Sequence, residues 1–522
     1  MPAIMPLRPP SAAAPLAAID IGSNSFRLEV ANLQHGRYKR QAYLKETVRL
    51  GGGLDANGYL TETAALRGLD CLGRFAQRLQ GFEAQQVRAV ATQTLREARN
   101  RDAFLVRAQD TLGFPIEVVS GREEARLIYA GVSFLQPGDK PRLVIDIGGR
   151  STEMIVGQGR LPRTVESFKT GSVSLSMRWF AGGVFTEQGF RDAQVAAGAE
   201  LEEALEPFAP RHWREALGSS GTAGAVSQIL AAAGITDGTI TPDGLRWCMA
   251  QCLAAGSVHK LALPSLREDR KAIIGGGLAL LYTLATHFGI AELRPAKGAL
   301  RQGVIIDLHE RHAARRQAGG GDLRDQSVAA LQARFEVDTV QAARVRSVAS
   351  ALLATVLPSA LPALQANGQH TAAGVDDGEA LRELGWACDL HEIGLMVSHH
   401  DHHRHSAYLM SHVDAPGFSQ NQQRRIGELV LGQRGGLRKI EPQLCSERFA
   451  WQVLALRLAV IKCHARGAVD PLALRLRRDG MQARLGYRPD WADSHLRTMH
   501  LLREEAENWA RQDNPKLVLA AD

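Results

Sequence analysis

The feature that most constrains this chain is written into it twice. Residues 17–31 read AAIDIGSNSFRLEVA and residues 143–157 read LVIDIGGRSTEMIVG. Aligned without gaps, they match Ile19 with Ile145, Asp20 with Asp146, Ile21 with Ile147, Gly22 with Gly148 and Ser25 with Ser151. Each copy opens as an apolar run, breaks at small polar residues and then resumes an apolar–polar alternation. That pattern predicts a hairpin whose turn carries Asp, Gly and Ser. Glycine lets the backbone approach a ligand closely, and successive turn amides form a nest for an anion. One such hairpin has a purely structural reading, an Asx-type turn. Two copies about a domain apart predict two related lobes that present phosphate-cradling loops across a cleft.

The rest of the chain must supply those lobes and more. With 522 residues, 45% hydrophobic and 22% charged, it has the balance of a globular protein of about three or four domains, which excludes a disordered or fibrous chain. The net charge of +7 suits a polyanionic partner, but 6% aromatic residues and no nucleic-acid module argue against nucleic acid. The six cysteines are scattered without a CxxC pair; Cys248 and Cys252 fall four apart on an expected helix and read as buried apolar side chains. Reduced thiols and the lack of a secretion signal predict a cytoplasmic protein. The longest apolar stretch, residues 272–285, contains three glycines and is too short to span a bilayer. Residues 1–15 are proline-interrupted and predict a flexible tail.

The spelling DIGSNSFRL followed by DIGGRSTE resembles the exopolyphosphatase/guanosine-pentaphosphate phosphohydrolase family, within the actin-like ATPase and sugar-kinase superfamily. ATQTLREARN (91–100), VSGREEARLIYAGV (119–132), GSSGT (218–222) and KGALRQG (297–303) follow in the family's order. The resemblance implies an α/β fold of two actin-like (ribonuclease H-like) lobes, residues 16–132 and 133–309. A linker at 310–322 would lead to an α-helical HD-like domain at 323–465 and a small C-terminal α/β domain at 466–522. It also implies a hydrolase of phosphoric anhydride bonds, with Mg²⁺ and a monovalent cation as candidate cofactors and a homodimer as the assembly. The first expectation for the substrate is inorganic polyphosphate, the alternative guanosine pentaphosphate at the same site; a non-catalytic sensor is a third reading.

Within SGREEAR, Ser120 fits a helix N-cap and Glu123 a capping box. Glu124 is left over. Spacing alone leaves it as either a carboxylate favoured by the helix dipole or a catalytic base; the resemblance implies the base. Asp146 enters the second loop and Glu153 leaves it, so both can face one Mg²⁺, with Asp20 as the first-lobe counterpart. The alternative for Asp20 and Asp146 is capping their own turns. Gly22, Ser23, Asn24, Ser25, Gly148, Gly149 and Ser151 are expected to bind phosphate, and Asp146 to act in catalysis as well. Arg96 is expected as a bidentate phosphate ligand, or else as a helix charge paired with a glutamate. Arg150 stands where the family usually has a third glycine, and is expected to clash with phosphate or to add a cation beside it. Lys297 replaces the acidic residue usual before GALR. Arg267, Arg270, Lys271, Lys297 and Arg301 together suggest a basic channel, or a solvated helix face.

Beyond residue 322, apolar residues recur at three- and four-residue spacing, which predicts helices. HHDHHRHSAYLMSH (399–412) invites a metal reading, but His391–Glu392 stands where an HD phosphohydrolase needs His–Asp. His402, His403 and His405 are expected to line a polyphosphate path or a dimer contact instead.

Overall fold

The structure, a computed structural model, describes residues 14–34, 36–316, 321–357, 377–470, 473–480, 482–512 and 515–521. The chain divides into two compact units, Met1–Gly320 and Gly321–Asp522. The predicted tail falls outside the described residues up to residue 13.

The first unit opens with β1 (Leu16–Ile21), β2 (Ser25–Gln34) and β3 (Arg37–Thr47), then α1 (Glu62–Arg78), β4 (Val87–Ala91), α2 (Gln93–Glu97), α3 (Arg101–Leu112) and β5 (Ile116–Val118). The strands form one sheet in the order β3-β2-β1-β4-β5. All six residues of β1 are buried, as a central strand covered on both faces requires.

A long helix, α4 (Gly121–Leu135), leads to β6 (Arg142–Ile147), β7 (Thr152–Gln158), β8 (Leu161–Phe168), α5 (Ser172–Trp179) and α6 (Glu187–Leu201). Next come β9 (Glu215–Ser219), α7 (Ser220–Ala232), α8 (Pro242–Ala255), α9 (Glu268–Lys271), α10 (Ile274–His287), β10 (Leu293–Pro295) and α11 (Leu300–Arg316). The second sheet runs β10-β9-β6-β7-β8, the same order as the first. The duplication extends to irregularities. Where β2 pairs with β3 the register shifts between Val30 and Ala31; where β7 pairs with β8 it shifts between Val156 and Gly157, their aligned counterparts. Ile21 pairs with Phe26 across the first hairpin and Ile147 with Thr152 across the second.

The lobes exchange helices, which corrects the boundaries expected at 132/133 and 309/310. Helix α4 follows the first sheet but packs on β7 and β8, whereas α11 follows the second sheet and packs on β1 and β2. The two helices meet through glycines. A Cβ on Gly303 would lie 1.7 Å from the Leu127 carbonyl oxygen, and one on Gly131 2.5 Å from that of Ala299. The stretch 310–316, expected as linker, is the last part of α11, where Arg311 pairs with Asp307 one turn earlier at 2.7 Å.

The second unit contains α12 (Leu323–Arg334), α13 (Thr339–Ala354), α14 (Asp377–Leu390), α15 (His402–His412), α16 (Gln420–Gly432), α17 (Glu441–Leu444) and α18 (Glu447–Lys462). It ends with β11 (Leu474–Asp479), β12 (Gln482–Tyr487), α19 (Pro489–Ser494), α20 (Leu496–Ala510) and β13 (Lys516–Ala521). The expected separation of a C-terminal domain at 466 is not found. One apolar core runs from Val328 through Trp386 and Leu454 to Leu485, Trp509 and Leu517. Three strands of six residues offer one apolar face, too little to be stable alone, and it is shared with the helices. All six cysteines are free thiols, five of them buried. Among the described residues no helix is long and apolar enough to cross a membrane.

Candidate active site

The two hairpin turns meet at one cleft between the lobes, lined by residues 22–25 of the first and by Gly148, Gly149 and Ser151 of the second. Each turn needs its first glycine. A Cβ on Gly22 would sit 2.9 Å from the Ser25 carbonyl oxygen, and one on Gly148 3.0 Å from that of Ser151. Carbonyls of both turns are engaged elsewhere: Asn24 accepts from the Arg49 N–H at 2.8 Å and Ser23 from Gly51 at 2.7 Å, while Gly149 accepts from Val173 at 2.8 Å. The turns also abut, since a Cβ on Gly149 would lie 3.2 Å from the Ser23 Cβ. Gly22, Ser23, Asn24, Ser25, Gly148, Gly149 and Ser151 all line the cleft, as phosphate-cradling loops require.

Asp20, Glu124 and Asp146 line the same cleft. Ser120 caps α4, its Oγ accepting from the Glu123 N–H at 3.1 Å. The Glu123 carboxylate, expected to complete a capping box, accepts from Arg126, whose Nε and Nη2 each donate at 2.8 Å. Glu124, one residue on, accepts from Arg96 Nη1 at 2.7 Å. Burial pushes its pKa up to about 7 despite Arg96, and the charges of Asp20 and Asp146 add to the rise. Glu153 lies on β7 directly across from Asp146 and is 1% exposed. Burial raises its pKa well above the carboxylate range, reinforced by Glu124 and Asp146. Asp146 is raised by burial too, against hydrogen bonds from Ser219 and Ser220.

Asp20 differs. Across the first hairpin its partner is Arg27, whose Nη1 donates to Oδ2 at 3.1 Å, with Arg301 at 3.9 Å. The expected metal role of Asp20 is thereby weakened, because its charge is already matched by an arginine. Among the described residues no three His, Cys, Asp or Glu side chains are grouped as a metal cage. Asp146 on the cleft wall and Glu153 across from it on β7, whose Oε1 accepts from the Ser167 hydroxyl at 2.8 Å, nevertheless give two hard, buried oxygen donors. Such a pair fits Mg²⁺, which binds through one or two carboxylates and completes its shell with water and phosphate oxygens.

Two arginines expected on phosphate are turned elsewhere. Arg96 holds Glu124, the Val119 carbonyl at 3.0 Å and the Gln93 side chain. Arg150 reaches into the other lobe, to Glu97 at 2.9 Å and the Gly51 carbonyl at 3.3 Å. Neither lines the cleft; Arg27 and Arg270 do. Of the five basic residues expected to form a channel, Arg270 reaches the cleft wall, while Arg267, Lys271 and Arg301 pair with Asp269, Glu268 and Glu29, and Lys297 is exposed. Arg270 has no ion pair among the described residues, and burial together with Arg27 lowers its pKa. It lies against Gly221, at a place where a Cβ would overlap its guanidinium. Ser220 and Thr222 beside it bond the Ile147 carbonyl at 2.8 and 3.2 Å. Arg27 was legible from the hairpin register opposite Asp20; Arg270 was one of the five basic residues expected to form a channel, and long-range packing is what singles it out for the cleft.

In the second unit His391 Nδ1 lies 2.6 Å from the Cys388 carbonyl, and Glu392 pairs with Arg466 at 2.6 Å. His402 and His403 are buried at the start of α15.

A model of the Ppx/GppA phosphatase family matches residues 30–312, and one of Ppx/GppA phosphatase domain III matches residues 323–506. The chain is 36% identical over 459 residues to a guanosine-5'-triphosphate,3'-diphosphate pyrophosphatase of Vibrio cholerae, covering 87% of this chain and 88% of that one. It is 34% identical over 513 residues to the protein of that name from Aeromonas hydrophila, covering 97% and 99%. Its fold is similar to a solved exopolyphosphatase from Cytophaga hutchinsonii, with TM-score 0.52 and 23% identity over 56% of this chain and 97% of that one. The chain belongs to the Ppx/GppA phosphatase family and is a hydrolase of phosphoric anhydride bonds.

Proposed function

We propose that this phosphatase removes the terminal 5'-phosphate of guanosine-5'-triphosphate,3'-diphosphate. The observation that carries the reaction is the placement of one buried carboxylate, Glu124, at the cleft where the two turns meet. The choice of substrate rests on the relatives of that name, which the chain matches over most of its length.

The turns around Gly22 and Gly148 hold the phosphate oxygens through backbone amides and the hydroxyls of Ser23, Ser25 and Ser151. Arg270 supplies positive charge on the cleft wall, where Arg27 is already matched by Asp20. Glu124, with a pKa of about 7, takes a proton from the attacking water near neutral pH. The water oxygen bonds the terminal phosphorus as its bond to the bridging oxygen breaks; orthophosphate leaves and the nucleotide keeps the bridging oxygen. Asp146 and Glu153 would hold Mg²⁺, which when bound offsets charge on the phosphate oxygens. Positioning and electrostatics carry the catalysis.

A second reading, removal of the terminal phosphate from inorganic polyphosphate, is favoured by Arg270 on the cleft wall, since a guanidinium there suits a phosphate oxygen whether or not a nucleoside is attached. The purified chain, given guanosine pentaphosphate and long polyphosphate in parallel with Mg²⁺, separates the two. A higher kcat/KM for the nucleotide is the expected result; a higher value for polyphosphate reverses the assignment.

A further inference from the structure

Arg150 belongs to the second-lobe turn, yet its guanidinium ends in the first lobe. Nε and Nη2 both meet Glu97 Oε2, at 2.9 and 2.8 Å. The other oxygen of Glu97 accepts from Gln93 Nε2 at 2.6 Å. Gln93 Oε1 in turn accepts from Arg96 Nε and Nη2, at 2.9 and 2.6 Å. Arg96 Nη1 then donates to Glu124 Oε2 at 2.7 Å. Five side chains thus form an unbroken series from the phosphate turn to the base, and the three intermediate ones stand on the five-residue helix α2.

The polarity of the series is fixed. Glu97 can only accept, so it turns the Gln93 amide nitrogen toward itself and the amide oxygen toward Arg96. Arg96 can only donate, so with Gln93 on one side it holds Nη1 on Glu124 and on the Val119 carbonyl. The series runs from a partly exposed rim, with Arg150 and Glu97 side chains 23% and 28% exposed, to a buried end, with Arg96 and Glu124 at 10% and 9%. Its outer link joins the two lobes and closes only while the second turn stands against the first.

We propose that Arg150 is a positioning residue: through Glu97, Gln93 and Arg96 it sets the orientation of Glu124, so that correct seating of the second phosphate turn and alignment of the base are one event. The inference rests on the reading of Glu124 as the base. Without Arg150, Glu97 loses the cation that holds it on Gln93, the amide loses its fixed orientation, and Arg96 loses one of its anchors. Turnover falls while the phosphate cradle is intact.

The test is steady-state kinetics of the full chain on guanosine pentaphosphate with Mg²⁺. The variants are Arg150→Ala, Arg150→Lys, Glu97→Gln, Gln93→Ala and the Arg150→Ala/Gln93→Ala double, with Glu124→Gln alongside and thermal melts to verify folding. Arg150→Ala and Gln93→Ala are each expected to lower kcat about 10- to 100-fold with KM nearly unchanged. Lysine at 150 should restore part of the loss, as a point charge on Glu97 without the fork that also reaches Gly51. The double variant should be no worse than the poorer single one, since both break one series. A rise in KM at unchanged kcat for Arg150→Ala would make Arg150 a phosphate ligand and overturn the proposal, as would additive losses in the double variant. If Arg150→Ala does not fold, unchanged kcat in Glu97→Gln and Gln93→Ala overturns it equally. Full activity in Glu124→Gln would instead remove the premise that Glu124 is the base.

Discussion

The two lobes share a strand order, a hairpin register and the place of a bulge, yet their equivalent corners carry opposite electrostatics. In the first lobe Asp20 faces Arg27 across the hairpin; in the second Asp146 faces Glu153. The first pair neutralises itself at 3.1 Å. The second leaves two carboxylates buried together beside Glu124, with the pKa values of all three raised. The two copies of the turn thus differ at one cross-strand position, arginine in the first lobe and glutamate in the second. The first corner is electrostatically matched; the second keeps its carboxyls without an arginine across the hairpin, which is what the proposed Mg²⁺ and proton-transfer roles require.

The largest effect that would sharpen this contrast is on the Mg²⁺ requirement. Glu153→Gln should raise the Mg²⁺ needed for half-maximal phosphate release by about 10- to 100-fold, while Asp20→Asn leaves it nearly unchanged. Equal shifts in the two titrations would break the comparison.

Next in size is the pH dependence. A base must be ionised to accept a proton, so kcat/KM should fall about tenfold per pH unit below the pKa of Glu124, near pH 7, and level off above it. In the Arg27→Gln variant that limb should move to higher pH, because the unmatched charge of Asp20 adds to the rise at Glu124; a pH–rate profile with the limb moved to lower pH would contradict the contrast.

The smallest effects are on stability, and their signs differ. A carboxyl whose folded pKa is raised binds its proton more tightly in the native state. Its contribution is therefore full at pH values below its unfolded pKa and is lost as pH rises through the folded one. Glu153→Gln should thus stabilise the fold above neutral pH, by on the order of 1 kcal/mol. Arg27→Ala should destabilise it by about 3 kcal/mol, because Asp20 is left buried without its nearest partner. Thermal melts of both variants at pH 8 check the pair; shifts of the same sign would contradict the contrast.

Much of the first unit was legible because its information is local. The repeated Asp-Ile-Gly turns predict both hairpins, and the Ser120 cap with Glu124 behind it predicts the helix that carries the base. What was not legible depends on packing across long separations. The destinations of Arg96 and Arg150 could not be read from their motifs, since a guanidinium at a phosphate turn suits an anion and a glutamate equally, and only the fold brings Glu97 within reach. Arg270 reaches the cleft because Gly221, far from it in sequence, leaves room for its side chain. The exchange of α4 and α11 between sheets leaves no mark on a linear domain boundary. The shared core of the second unit was hidden for a related reason: its C-terminal strands show their apolar face but not which helices cover it.

The central claim, that Glu124 is the proton acceptor in the phosphate-holding cleft, is tested most directly by single-turnover phosphate release from guanosine pentaphosphate, wild type against Glu124→Gln, with nucleotide binding measured on the same samples. Binding within a few-fold of wild type and a release rate lower by about 10²- to 10⁴-fold are expected. A release rate equal to wild type in the glutamine variant would contradict the claim.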